Sequence, residues 1–151
     1  VPVDVDVTQT VQQAVSDLSR VATEKDVTLS AIACEPLVVP AEPLWLHRAI
    51  SNLISNSVKF SRPGDSVTVS VSESDSEAII EIVDTGPGID PGEIGKVFGR
   101  FYRVVGTGSD YKEGTGLGLP MVSELMERMG GSVWLDSDGK NGVTATVRLP
   151  K

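Results

Sequence analysis

Apolar and polar residues alternate through several short stretches of this chain, the period-two signature of strands with one buried face. Val3, Val5 and Val7 are interleaved with Asp4 and Asp6. Val67, Val69 and Val71 are interleaved with Thr68, Ser70 and Ser72, and Val143, Ala145 and Val147 with Thr144, Thr146 and Arg148. Strands are expected over Val27 to Ala33, Leu37 to Val39, Ser66 to Ser72, Glu77 to Val83, Ser132 to Asp136 and Val143 to Leu149. A helical stripe runs through Val11, Ala14, Val15, Leu18, Val21 and Ala22, with Thr8 or Thr10 as its expected cap. A second helix opens at Glu42-Pro43, where proline is tolerated, and stops before the turn cluster Ser61-Arg62-Pro63-Gly64-Asp65. The third long helix is expected from Leu117 to Met129, ended by Gly130-Gly131. Residues 90–113 are rich in glycine, charge and aromatics, with one short helical segment around Pro91 to Phe98.

Continuous apolar strands would indicate a sheet covered on both faces; alternating ones leave one face wet. The expected fold class is therefore α/β, a two-layer sandwich whose mixed, mostly antiparallel sheet carries three helices on one face. With 151 residues and no linker, repeat or low-complexity stretch, the chain reads as one domain, 1–151. A net charge of -8 opposes nucleic acid and anionic membrane surfaces as partners. One cysteine, Cys34, excludes an internal disulfide and reads as a small packed side chain. The first residue is Val1, so the chain reads as a piece of a longer protein. It carries no membrane-length apolar run, which says nothing about the parent; the single cysteine is compatible with a reducing, cytoplasmic setting for this domain, with membrane anchoring of the parent left open.

Three segments carry candidate chemistry. At about 100° per residue, Asn52, Asn56 and Lys59 fall in one sector of the second helix, with Arg48 and Ser55 beside them. Leu46, Ile50, Leu53, Ile54 and Val58 lie opposite. Amide oxygens suit Mg²⁺, which keeps much of its water, and an ammonium suits phosphate; a plain solvated face is the alternative. Phe60 at the end of the stripe can pack near an adenine. Asp84 closes an apolar strand, where its carboxylate can accept from an adenine amino group and leave guanine unpaired. Gly86 and Gly88 behind it permit close backbone approach, although an ordinary Asp-Thr-Gly turn fits as well. Gly114-Thr115-Gly116-Leu117-Gly118-Leu119 runs into the third helix, whose N-terminal N–H groups favour anions. It matches neither the dinucleotide G-x-G-x-x-G nor a P-loop.

Taken together these segments resemble the catalytic ATP-binding domain of bacterial sensor histidine kinases, within the superfamily that includes gyrase, the heat-shock chaperone and mismatch-repair ATPases. Asn52 to Ser61 is similar to the N box, Asp84 to Ile89 to the G1 box, Phe98 to Arg103 to the F box, and Gly114 to Leu119 to the G2 box. The resemblance implies the Bergerat-type fold, with residues 90–113 as an ATP lid. It implies that Asn56 coordinates Mg²⁺, Asn52 supports metal and phosphates, and Lys59 contacts phosphate. Phe60 would line the adenine pocket and Asp84 bind the adenine amino group, with Gly86, Gly88 and Ile89 around it. The backbone from Gly114 to Leu119, through Thr115, Gly116, Leu117 and Gly118, would hold phosphates. Arg100 or Arg103 would reach the γ-phosphate when the lid closes, and Thr144 would support the adenine side. Gly99 and Pro120 depart from the usual pattern without removing a ligand.

The superfamily's ATPases carry a glutamate as base for water where this chain has Asn52, which accepts no proton at neutral pH. Phosphoryl transfer to a protein side chain is therefore expected over hydrolysis. The implied acceptor is a histidine on a dimerisation domain of the parent protein, with a response regulator further downstream. His47, the only histidine, lies at the apolar border of the second helix without an acidic sequence neighbourhood and reads as structural. A sigma-factor-regulating serine kinase and a non-catalytic scaffold are the rival readings.

Overall fold

A computed structural model of the chain describes residues 2–32, 35–87, 118–137 and 142–151. The expected short helix and lid, Cys34, and the end of the strand expected to reach Ala33 lie outside the described residues. Strand β1 (Val3–Asp6) pairs antiparallel with β3 (Val38–Ala41), Val5 facing Val39. The remaining strands are β2 (Thr28–Ile32), β4 (Ser66–Glu73), β5 (Glu77–Asp84), β6 (Ser132–Asp136) and β7 (Thr144–Pro150). They form a five-stranded sheet in the order β2-β4-β5-β7-β6. Only β2–β4 is parallel; the other ladders are antiparallel. The sheet is thus mixed and mostly antiparallel, as expected.

Helices α1 (Val7–Glu24), α2 (Pro43–Phe60) and α3 (Gly118–Arg128) pack together, α2 touching both of the others and strands β4 and β5. The apolar stripe of α2 is fully used: Leu46, Ile50 and Ile54 are wholly buried, with Leu53 and Val58 almost so. Each such side chain contributes on the order of 2 kcal/mol by leaving water. They meet Val67, Val69, Ile80, Ile82, Val147 and Leu149, the inward residues of the alternating strands. The outward residues Ile79, Glu81 and Val83 of β5 share the opposite face with Trp134 and Arg148, whose guanidinium lies 5.2 Å from the indole centre.

The helix starts differ from expectation at one point. Glu42 caps α2, accepting from Trp45 N at 2.9 Å. For α1 the cap is neither Thr8 nor Thr10 but Asp6, whose carboxylate accepts from Thr8 N at 3.0 Å and Gln9 N at 3.4 Å. The same oxygen accepts from Leu37 N at 3.2 Å, so one carboxylate starts α1 and ties it to β3's approach. Val7 consequently belongs to the helix and is buried there, although its alternation with Asp6 continues the strand pattern.

Candidate functional site

Strand alternation sets the position of Asp84. Ala78, Ile80 and Ile82 point inward, and the next inward position of β5 is Asp84, which is 2 % exposed. A carboxylate is thereby placed at the rim of the core rather than on a loop. Its Oδ1 accepts from Gly86 N at 3.0 Å and Val143 N at 3.2 Å, and its main-chain N–H donates to Val143 O at 3.0 Å. Oδ2 is buried and has no hydrogen-bond partner among the described residues. Burial pushes this carboxyl up to about 6; the Gly86 and Val143 N–H groups pull it down, the negative charge of Asp65 pushes it further up, and the nearby Ser57 hydroxyl, which makes no well-formed hydrogen bond to Oδ2, pulls it slightly down.

Two glycines make this geometry possible. A Cβ on Gly86 would lie 3.2 Å from both Asp84 Oδ1 and Phe60 O. Gly142 sits at φ +93°, and a Cβ there would meet Asp84 O at 1.9 Å.

Against Asp84 runs a narrow cleft, walled by Asn56, Ser57 and Phe60 of α2, by Val143 just before β7 and by Ala145 within it. Leu53 and Leu135 form its apolar floor. The structure therefore brings Asn56, Phe60 and Asp84 together. Asn52 sits one turn earlier, outside the cleft wall, its amide nitrogen donating to Arg48 O at 3.1 Å. Lys59 is exposed on the last turn. Gly118 begins α3, followed by Leu119, so the glycine segment does lead into a helix. Gly88, Ile89, Arg100, Arg103, Gly114, Thr115, Gly116 and Leu117 lie outside the described residues.

Thr144 does not fit its expected place. Val143 and Ala145 line the cleft, so alternation turns Thr144 to the opposite face, beside its ladder partner Val83. Val143, not Thr144, lines the cleft beside Asp84. Ser57, Leu135, Val143 and Ala145 were not singled out from sequence. Ser57 lies four residues after Leu53, the helical spacing that signals a shared face.

Beside the cleft, Thr85 Oγ1 accepts from Ser66 N at 2.9 Å and lies 3.2 Å from Asp65 Oδ1, to which it donates. Asp65 Oδ2 accepts from Arg62 N at 2.7 Å. These donors, with the Arg62 charge, hold the Asp65 carboxyl below its ordinary value against the opposing effect of partial burial. The turn after α2 and the turn after β5 are thus fastened to each other through side chains.

His47 has an acidic neighbour after all: Asp17 Oδ2 of α1 lies 3.3 Å from its Nε2. Among the described residues there is no cluster of His, Cys, Asp or Glu able to hold a metal, and no helix long and apolar enough to cross a membrane.

A one-sided sheet, a helix with a polar stripe and a buried strand-end carboxylate define a known class of nucleotide-binding domain. A family model described as histidine kinase-, DNA gyrase B-, and HSP90-like ATPase matches residues 41–151, and the chain belongs to that family. The sensor protein SrrB of Staphylococcus aureus is 39% identical over 106 residues, covering 70% of this chain and 18% of SrrB. This chain therefore spans less than a fifth of such a relative. Among solved structures, the mycobacterial sensor histidine kinase MprB superposes with a TM-score of 0.82 at 29% identity, covering 99% of this chain and 97% of that one. Full-length ShkA in complex with AMPPNP gives 0.85 at 27% identity, covering 99% of this chain and 31% of ShkA. The fold is that of histidine kinase ATP-binding domains.

Proposed function

We propose that the chain is the catalytic domain of a sensor histidine kinase, binding Mg²⁺-ATP and passing its γ-phosphoryl group to a histidine on another domain of the parent protein. The observation that carries this reading is the buried Oδ2 of Asp84, without a hydrogen-bond partner among the described residues, at the wall of the cleft with Asn56 and Phe60. An acceptor left empty inside a protein costs about 1–3 kcal/mol, and an adenine amino group supplies the missing donor. Guanine presents an oxygen at that point, so the same atom rejects it.

Among the described residues it is the amides that suit magnesium. With no acidic cluster among the described residues, the ion would be held by phosphate oxygens, water and the amide oxygen of Asn56, the mode natural to this hard cation. Bound there, it would neutralise charge on the transferring phosphoryl group. Lys59, exposed one turn after Asn56, brings a positive charge toward the phosphates, and Asn52 supports the same side. Gly88 and Ile89 continue the adenine wall, the backbone of Gly114, Thr115, Gly116, Leu117, Gly118 and Leu119 wraps phosphate, and Arg100 or Arg103 meets the γ-phosphate from a lid of residues 90–113.

In the transfer the lone pair of a neutral imidazole nitrogen forms the bond to the γ-phosphorus, the bond from that phosphorus to the bridging oxygen breaks and its electrons leave with ADP, and the ring gives up one N–H proton to solvent or to a base on the acceptor domain. No residue of the asparagine stripe can take a proton from water, so the chain favours an imported nucleophile. The phospho-histidine then serves a response regulator. The parent is a sensor placed to act in the cytoplasm, whether or not it is anchored to a membrane. The test is reconstitution: this chain mixed with a histidine-bearing dimerisation domain of a sensor kinase, labelled ATP and Mg²⁺. Acid-labile label on the added domain is expected. Steady phosphate release by this chain alone, without transfer, would refute the reading.

A further inference from the structure

We infer that Lys25, the C-cap residue that closes α1 and lies far from the cleft in sequence, is a positioning residue for the nucleotide site, acting as the cationic cap that fixes the last turn of α2. The inference rests on the reading of that cleft as a nucleotide site and names a residue the nucleotide motifs do not contain.

The last four carbonyls of a helix lack intrahelical donors. In α2 these belong to Ser57, Val58, Lys59 and Phe60. Ser57 O accepts from Ser61 N at 3.1 Å and Ser61 Oγ at 2.7 Å. Val58 O accepts from Ser61 N at 3.3 Å and from Lys25 Nζ at 3.1 Å. Lys59 O also accepts from Lys25 Nζ. Phe60 O lies against Gly86. One ammonium thus supplies donors to two successive carbonyls at the negative end of the helix dipole, where a cation is most favourable.

The turn it holds is the one that forms the cleft: Ser57 and Phe60 are wall residues, Asn56 precedes them, and Lys59 extends from the same turn. The base of Lys25 is itself fixed. Its N–H closes α1 on Ala22 O at 3.1 Å and Val21 O at 3.2 Å, and the next residue, Asp26, turns the chain at φ 61°. From there Asp26 O accepts from Gly64 N at 2.8 Å, and Thr28 N donates to Asp65 O at 3.0 Å. The α1–β2 turn therefore grips both the end of α2 and the turn after it. A side chain without the ammonium at position 25 would leave the Lys59 carbonyl without this donor and let the last turn fray. Nucleotide would then bind only the ordered fraction, and apparent affinity falls in proportion to that fraction.

The experiment measures ATP and ADP affinity, with Mg²⁺, for the chain and for Lys25→Met, Lys25→Arg and Val11→Ala, well below every melting temperature. Val11 is fully buried in α1 and away from the cleft, so Val11→Ala controls for lost stability alone. Lys25→Met is expected to weaken both nucleotides on the order of tenfold. Lys25→Arg should restore most of the loss, and Val11→Ala should melt earlier without losing affinity. Wild-type affinity in folded Lys25→Met, or an equal loss in Val11→Ala, would overturn the inference. Absence of nucleotide binding by the unsubstituted chain would instead refute the nucleotide reading of the cleft and the role of Lys25 with it.

Discussion

Replacing Asp84 with asparagine should make the chain more stable and destroy its nucleotide recognition, and the two effects have separate pH signatures. Burial raises this carboxyl from the ordinary 3.8 to about 6. The folded state then holds a proton that the unfolded chain has released, so stability falls as pH rises between those values and the penalty is complete above them. A gap of about two pH units corresponds to roughly 3 kcal/mol at neutral pH, and to about 1 kcal/mol near pH 4.5. Asparagine keeps an oxygen for the Gly86 and Val143 N–H groups and carries no charge, so it escapes this term. Denaturant unfolding of both proteins should show a stability advantage for Asp84→Asn that grows by about 2 kcal/mol between about pH 4.5 and 7.5. The amide nitrogen, however, occupies the place of the open acceptor and confronts an adenine amino group donor to donor. ATP affinity should drop on the order of a hundredfold, the combined effect of a lost and an opposed hydrogen bond. An advantage that stays flat with pH, or widens toward acid, would refute the account of Asp84, as would a variant that binds ATP normally.

Asn56→Ala should leave the melting temperature nearly unchanged, because the side chain is only half-buried, while Mg²⁺-ATP affinity falls about tenfold or more, as loss of a ligand or charged contact implies; titration calorimetry with and without Mg²⁺ checks both. Gly142→Ala should cost on the order of 3 kcal/mol in denaturant stability, since φ +93° and the contact with Asp84 O leave no room for a methyl; ordinary stability would contradict the geometry. With labelled ATP and Mg²⁺ the chain alone should take up no acid-labile phosphate, and His47→Gln should behave identically; incorporation that vanishes in His47→Gln would make His47, with Asp17 beside it, an acceptor. Val143→Thr should place a hydroxyl at the cleft wall near Asp84 and move the carboxyl down from about 6, detectable by NMR titration; no downward shift would mean the hydroxyl does not reach Oδ2.

Periodicity made much of this architecture legible. The α2 stripe of Leu46, Ile50, Leu53, Ile54 and Val58 is buried as its spacing requires, and the wet side of the sheet follows from Thr68, Ser70 and Glu81 alternating with valine and isoleucine. What local pattern could not reveal comes from contacts distant in the chain. The buried state of Asp84 depends on Val143, 59 residues away. Lys25 reaches carbonyls 33 and 34 residues on. Local sequence does not single out Asp6 as the cap, because Thr8 and Thr10 are also favoured at that position and the hydrogen bond from Leu37, 31 residues on, adds to the advantage of Asp6. Thr144 was misplaced because the parity of a strand after a glycine turn is set by pairing, not by the residues themselves; Ala145 opposite Ile82 fixes it. The glycine-rich segments were readable as motifs, but most of their residues lie outside those described.

Because Asp84 occupies a core-facing register of β5 and is no part of a hinged loop, the group that would choose the base inherits its aim from the pairing of β5 with β4 and β7. Shifting that strand by one residue would exchange a carboxylate for the isopropyl group of Val83, expose Ile80 and Ile82 behind it and bury Glu81. Loss of base discrimination through strand slippage would therefore collapse the hydrophobic interior at the same moment, so errors of fold cannot survive as errors of selectivity.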